Sequence, residues 1–335
     1  MKIIQPEAHI LPFSGDVLKH VERCGRIAYK SEDAITEDSH VKFIQHLIQR
    51  GHESVLEHGN YVLEIENDEW FNDIMFYYNV VSTNYSGAFA DKGYVPRLRF
   101  SSTAHGKNIV SGNIRGWRNF IRCLQMTARN VPEIVVATFR DNPAFADLKY
   151  GSGMLTNEEY FKIIDEEGIK PARILSRDDL TPEEQYIHWT ETALFTCDRS
   201  ISHELVRHRA LSPTQESQRF CNYSKGKFGG EVTFIQPEYF PNADGEIGLM
   251  PEATEIWYNT MMANEKMYLY LMQMGMKPQQ ARKVLNNSTK TEVVLTGTIG
   301  EWVHFFNLRD ADDADSEMRR LAKPLRTEFN VHYTV

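Results

Sequence analysis

Residues 207–217 read RHRALSPTQES: two arginines flank a histidine, seven residues intervene, and a serine follows. Arg219, Lys225 and Lys227 extend the positive charge against only Glu204 and Glu216, in a chain whose formal net charge is -9. A basic segment in an acidic protein calls for an anionic ligand. Arginine suits that task because its planar fork donates two parallel hydrogen bonds to phosphate and stays charged at every working pH. An arginine pair alone reads as a solvated helix end that complements the helix dipole. Ser217, Arg219, Arg282 and Arg309 tilt the balance toward a bound anion.

Working outward, YIHWTETALFTC reads as a strand and RSISHELVRHR as a helix whose C-terminal end delivers the basic motif. Toward the N-terminus, DVLKHVERCGRIAYKS places Val17, Val21, Cys24 and Ala28 at helical spacing, and HVKFIQHLIQRG does so with Val41, Ile44, Leu47 and Ile48 before Gly51. Two helices are thus expected to open the chain. YVLEIEN then has a strand pattern with one partly polar face. Toward the C-terminus come a long amphipathic helix, PEATEIWYNTMMANEKMYLYLMQMG, a short one from Pro278, the strand TEVVLTGT, and two closing helices, with Pro324 expected to kink or break the last. The class is mixed α/β. The reading is one domain, 1–335, with core segments at about 1–67 and 186–335 and an insertion at about 68–185.

With 335 residues, 41% of them hydrophobic, the chain can bury a sizeable core. The acidic balance disfavours a nucleic-acid or membrane-surface binder, which gains affinity from net positive charge. Cys24, Cys123, Cys197 and Cys221 form no C-x-x-C pair, so neither a zinc cluster nor a disulfide framework is suggested, and the cytoplasm is the default compartment. No targeting signal or membrane span is read.

Other motifs fall short of their chemistry. In HELVRH, His203 and His208 are five apart, about 140° around a helix, where metal ligands need neighbouring faces. His52 and His58 of GHESVLEHG are about 120° apart and read as a polar helix end and turn. No metal site is expected. The clusters YGSGML and FGGEV do not stand between a strand and a helix as a dinucleotide-binding loop would. Ser217 lacks a G-x-S-x-G elbow and ranks as a ligand before a turn hydroxyl or a nucleophile.

Taken together, GHESVLEH, RHRALSPTQESQRF, ARKVL and WVHFFNLR, in that order, resemble the flavin-dependent thymidylate synthase family, whose signature is RHR, seven residues, then Ser. The resemblance covers about residues 14–66 and 186–330. It implies an antiparallel-rich sheet with flanking helices, and a homotetramer binding FAD, dUMP, methylene-tetrahydrofolate and NADPH in sites shared between subunits, with dTMP as product. No catalytic cysteine is then required.

Carried over by motif, Ser31, Ser54, Glu57, Arg207, His208, Arg209, Gln215 and His304 would contact FAD. Glu204, Arg207, Gln215, Glu216, Ser217, Gln218, Arg219, Arg282 and Arg309 would face dUMP. Arg309 would favour the N3-ionised uracil, as a fixed cation stabilises an adjacent anion, and His52 would lie near flavin and folate. Three departures stand out. Gln215 replaces a frequent Glu, Phe220 a usual Tyr, and Thr298 and Gly300 stand where other members present Asn and Arg to FAD. They leave open a same-scaffold enzyme acting on another pyrimidine nucleotide, beside the more distant alternative of a noncatalytic nucleotide-binding protein.

Overall fold

The computed structural model describes residues 1–83, 97–103, 106–153, 155–240 and 251–333, with the backbone alone at Lys227 and Pro251. The Lys227 side chain and Met154 of YGSGML lie outside the described residues. In chain order the strands are β1 (Lys2–Ile4), β2 (Glu7–Ile10), β3 (Asn60–Ile65), β4 (Leu98–Ser102), β5 (Asn108–Asn113), β6 (Arg173–Ile174), β7 (Thr190–Asp198), β8 (Ser212–Gln215), β9 (Thr233–Ile235) and β10 (Lys290–Thr298). The described α-helices are α1 (Val17–Tyr29), α2 (Ser39–Gln49), α3 (Asp68–Thr83), α4 (Ile114–Met126), α5 (Glu133–Phe139), α6 (Asn157–Glu166), α7 (Pro182–His188), α8 (Arg199–Leu205), α9 (Pro251–Gln273), α10 (Pro278–Ala281), α11 (Ile299–Arg309) and α12 (Ser316–Phe329). Strand pairing is mostly antiparallel, β1 with β9 being parallel. The class is mixed α/β, as expected. Among the described residues no helix is long and apolar enough to cross a membrane.

The chain divides into two compact units, one of Met1–Pro12, Arg23–Asp33 and Glu191–Val335, the other of Phe13–Glu22 and Ala34–Thr190. The first unit holds a sheet of order β2-β7-β10-β8. Its aromatic core forms where α11 turns Trp302, Phe305 and Phe306 inward, against Phe195 of β7 and Phe329 of α12. The indole Nε1–H of Trp302 donates to the Glu191 carbonyl at 3.0 Å, so the buried ring keeps its polar atom satisfied. On α9, Trp257, Met261 and Tyr268 join Cys221, Tyr223, Val232 and Phe234 in a second cluster. Gly275, at φ +86°, ends that helix in the left-handed conformation that favours glycine.

The second unit is organised on β3. Its sheet runs β4-β5-β3-β6, so the 68–185 stretch supplies the strands on both sides of β3. The expected partly polar face of β3, Val62 with Glu64, is present, and Glu64 on it is half-buried. Tyr61, Val62, Leu63 and Ile65 are buried, and Glu64 is bonded by Arg173 of β6 at 2.9 Å. Gly59 just before β3 is required by close packing, since a Cβ there would lie 2.6–2.8 Å from Val21, Ile114 and Val17. His188 is a core histidine. Its ring nitrogens meet Ser101 Oγ at 2.7 Å and Ser111 Oγ at 2.8 Å.

Some expectations need correction. Two strands, β1 and β2, precede the two opening helices; β2 is short but gains β7 as a partner and Glu328 as an acceptor for the Ile10 N–H. Tyr186–His188 close α7 and do not begin the strand, because Thr181, Pro182 and Glu184 start a helix there with a capping box. Pro324 does not break α12. The missing N–H costs one helical hydrogen bond, which burial of Leu321, Leu325 and Phe329 outweighs. GHESVLEH is a 3₁₀ turn, Glu53–His58, and it is amphipathic rather than polar, burying Val55, Leu56 and His58.

Candidate functional site

The basic motif is fixed from both ends. At the start of α8 the Asp198 carboxylate caps the helix by accepting from Ile201 N at 2.8 Å. The helix stops at Leu205, and Arg207–Arg209 follow in a tight turn in which His208 N donates to Leu205 O and Leu211 N to His208 O. At Ser212 the chain enters β8, registered against β10. Leu211 is buried beside Gly297, where any Cβ would stand 2.2 Å from Leu211 Cδ2; the glycine in TGT therefore lets the turn settle on the sheet.

Helix α11 forms the facing wall. Its core stripe leaves Glu301, His304, Leu308 and Arg309 on another face, and these line a cavity of about 680 Å³ together with Glu204, Arg207, His208, Arg209, Ala210 and Leu211. Arg309 bridges the two walls. Its Nε–H donates to His208 Nε2 at 2.8 Å and its Nη1–H to Glu204 Oε2 at 2.6 Å. Burial, then the Arg309 charge and His304, pull the His208 pKa down to about 4. At neutral pH the imidazole is uncharged, and the bond from Arg309 places its proton on Nδ1. Arg207 and Arg209 are exposed and have no ion pair among the described residues.

Of the expected site residues, Glu204, Arg207, His208, Arg209, His304 and Arg309 thus come together. The Gln215–Arg219 run, Ser31 and Arg282 belong to the same unit but do not line this cavity. Gln215 Nε2 donates to Ser202 Oγ at 2.9 Å and Thr291 Oγ1 at 3.2 Å. The Glu216 side chain is buried, bonded by Lys290 Nζ at 2.9 Å and Tyr223 O–H at 3.3 Å; Lys290 also pairs with Glu292, which pairs with Lys30. Gln218 is buried as well, so the run offers its backbone, Ser217 and the exposed Arg219 to the outside. Ser217 N donates to Ala28 O at 3.1 Å and Ser31 N to Arg26 O at 3.0 Å, which fastens both serines to the end of α1. Arg282 is half-buried in a 3₁₀ turn after α10. In the second unit, His52 and Ser54 are exposed on the turn before β3, and Glu57 is bonded by Arg115.

Sequence reasoning missed Glu301, Leu308, Lys30, Lys290 and Glu292. The first had a signal, the T-x-x-E of residues 298–301, which is a capping box: Glu301 N donates to Thr298 Oγ1 at 3.3 Å and Thr298 N to Glu301 Oε2 at 2.7 Å. The buried Thr298 serves the helix start. Lys290 and Glu292 alternate with the buried Thr291 and Val293, one charged face of a strand. The four cysteines are free and buried. Burial raises the Cys123 thiol to about 11 and Cys221 to about 12, with Cys24 and Cys197 higher still, so all are protonated and unreactive at neutral pH.

Comparison with known proteins follows the same segments. The model of the thymidylate synthase complementing protein family matches residues 11–106 and 183–332. A flavin-dependent thymidylate synthase of Pyrococcus abyssi is 33% identical over 144 residues, 42% of this chain and 55% of the relative. The Geobacter sulfurreducens enzyme is 32% identical over 124 residues, 37% and 49%. The chain thus spans about half the length of the curated relatives it matches. Among solved structures, Helicobacter pylori ThyX with FAD and dUMP gives a TM-score of 0.32 at 20% identity, over 42% of this chain and 66% of that one. A Streptomyces cacaoi UMP/dUMP methylase gives 0.39 at 14%, over 99% and 93%. The family match encloses the 3₁₀ turn at Glu53–His58, the Arg207–Arg209 turn and Arg309, and the chain belongs to the thymidylate synthase complementing protein family.

Proposed function

We propose that the protein is an FAD-dependent thymidylate synthase that reductively methylates dUMP to dTMP, with methylene-tetrahydrofolate as carbon donor and NADPH as reductant. The observation that carries this reading is the cavity between the RHR turn and α11, where two exposed guanidiniums without ion pairs among the described residues stand beside a neutral histidine and a braced arginine. That donor set fits the phosphates of a flavin dinucleotide and a nucleotide monophosphate. Bound FAD would supply the hydride chemistry that no side chain can.

The chain's own residues bind and orient. Arg207 and Arg209 present forks to phosphate, and His208, kept uncharged, adds no repulsion to them. Arg309 is braced through Nε and Nη1, while Nη2 has no partner among the described residues; a fixed cation in this position favours the N3-ionised uracil. Ser217 and Arg219 are assigned to the dUMP phosphate, with Arg282, and His52, Ser54, Glu57 and Ser31 to the flavin side. A homotetramer with shared sites is supported by the exposed apolar stripe of α9, Ile256, Met267 and Tyr270, continued by Met274. The free cysteines fit the cytoplasm.

The test is the absorption spectrum of the purified protein loaded with FAD, before and after NADPH under nitrogen, followed by assay of dTMP formation from dUMP and, in parallel, of UMP methylation. Bleaching of the flavin bands and dUMP-dependent dTMP are expected. A protein that cannot be loaded with FAD sinks the reading, and turnover of UMP alone would redirect it to the other pyrimidine nucleotide.

A further inference from the structure

Helix α4 lies in residues 107–182, the stretch that the family model leaves unmatched, yet it grips the turn that carries His52, Ser54 and Glu57. Arg115, Arg118 and Arg122, spaced three and four apart, form one row along the helix. Arg122 forks the Glu53 carboxylate with two bonds of 2.6 Å. Arg118, wholly buried, donates to Glu53 at 3.1 Å, to both oxygens of Asp147 at 2.7 and 2.9 Å, and to the Ala144 carbonyl. Arg115 bonds Glu57. At the far end of the turn, Ile114 N donates to Gly59 O at 2.8 Å. The turn is therefore tied to α4 at Glu53, Glu57 and Gly59, on both sides of Ser54.

We infer that α4 is the positioning element of this turn and that its arginines set the affinity for FAD. The inference rests on the functional reading above, which gives Ser54 and Glu57 to the flavin. A six-residue 3₁₀ segment has poor internal hydrogen-bond geometry and does not hold a fixed shape alone. When the binding-competent shape is only partly populated, the apparent Kd rises by the inverse of that fraction. Bidentate pairing of Glu53 removes that loss, because it fixes the direction of the carboxylate as well as its distance. Residues outside the family match thus complete a site whose ligand contacts lie inside it.

The experiment titrates FAD into the full-length protein by flavin fluorescence, with folding checked by circular dichroism and melting temperature. Arg122→Met is expected to raise the Kd about tenfold, and Arg122→Lys, which keeps the charge but not the fork, to recover part of it. Ile164→Ala, at a buried position of α6 outside this hydrogen-bonded set, is the stability control: it should lower the melting temperature and leave the Kd within about twofold. A folded Arg122→Met with wild-type Kd overturns the inference, as does an equal rise in Ile164→Ala. If Arg122→Met does not fold, Arg115→Met decides: a Kd raised about threefold supports the inference and an unchanged one overturns it. Wild-type protein that binds no FAD removes the functional reading and this inference together. Wild-type binding with unaltered variants removes this inference alone.

Discussion

Two arginine–glutamate clusters in this protein look alike as lists of partners and differ in what they can do. In the second unit Arg118 is fully buried and its guanidinium is shared among Glu53, Asp147 and a backbone carbonyl, while Arg122 forks the same Glu53. In the first unit Arg309 keeps 21% of its side chain exposed and Glu204 35%, at the wall of a cavity whose other arginines, Arg207 and Arg209, form no ion pair among the described residues. The first cluster is closed around Glu53, whose side chain is 14% exposed and accepts three bonds from the two arginines, while Asp147 at its rim keeps 45% of its side chain exposed. The second is open. An ion pair becomes a scaffold when burial and bond count satisfy it, and remains a binding group when solvent and unpaired neighbours stay within reach.

Breaking the closed cluster should have the largest effect. Arg118→Met leaves Glu53 without one of its partners and Asp147 without its fork, and removing one member of a buried ion pair costs about 3–5 kcal/mol. Urea unfolding measures it, and a loss near zero would show that the cluster is not structural. At the open cluster Arg309→Lys should leave stability and flavin content nearly unchanged while turnover drops about a hundredfold, the usual cost of one donor aimed at developing charge. Equal loss of flavin and turnover would make Arg309 a structural residue like Arg118 and erase the contrast. Ser217→Ala should weaken dUMP binding by about 1.5–3 kcal/mol, and saturating dUMP should restore the rate. Complete loss of turnover in a flavin-loaded, dUMP-saturated variant would reopen the nucleophile.

An acid series sharpens the comparison in smaller steps. Burial lowers His58 to about 3 and His188 to about 4, both below the ordinary 6.5, so each is neutral in the folded second unit. The unfolded chain binds their protons first. The stability they contribute is complete above pH 6.5 and is lost as the pH falls toward their folded values, about 1.4 kcal/mol per pH unit for each. Glu53 follows at lower pH: burial raises its pKa, but the bonds from Arg122 and Arg118 outweigh that and hold it below the usual carboxylate value. Urea midpoints at pH 7, 6, 5 and 4 should fall accordingly, and His188→Asn should flatten the slope by one histidine's share. A slope unchanged in that variant would show that His188 is not among the groups taking up protons.

Much of the first unit was legible in the chain. The strand TEVVLTGT, the long helix ended by Gly275 and the two closing helices follow from local periodicity, and local periodicity survives folding when it coincides with the buried face, as in the helix of Trp302, Phe305 and Phe306. The opening strands and the 3₁₀ turn were not legible. Strands of three and four residues gain their stability from partners far away in sequence, Thr233–Ile235 for β1 and Ala193–Thr196 for β2. The absence of a break at Pro324 has the same reason, since the burial that outweighs its missing hydrogen bond belongs to tertiary packing.

By itself the sequence determined the mixed α/β class and the positive charge of residues 207–219, because composition, periodicity and the RHR-x₇-S spacing are properties of the chain. The family resemblance rested on the same spacing. Only the tertiary structure decided which charges are spoken for. Arg118 and Arg209 are equally basic on paper; one lies wholly buried against Glu53 and Asp147, sixty-five and twenty-nine residues away in sequence, and the other stays exposed at a cavity wall. The reason is physical: the strength and availability of a charge depend on its local dielectric and on partners brought from distant segments, and neither exists until the chain has folded.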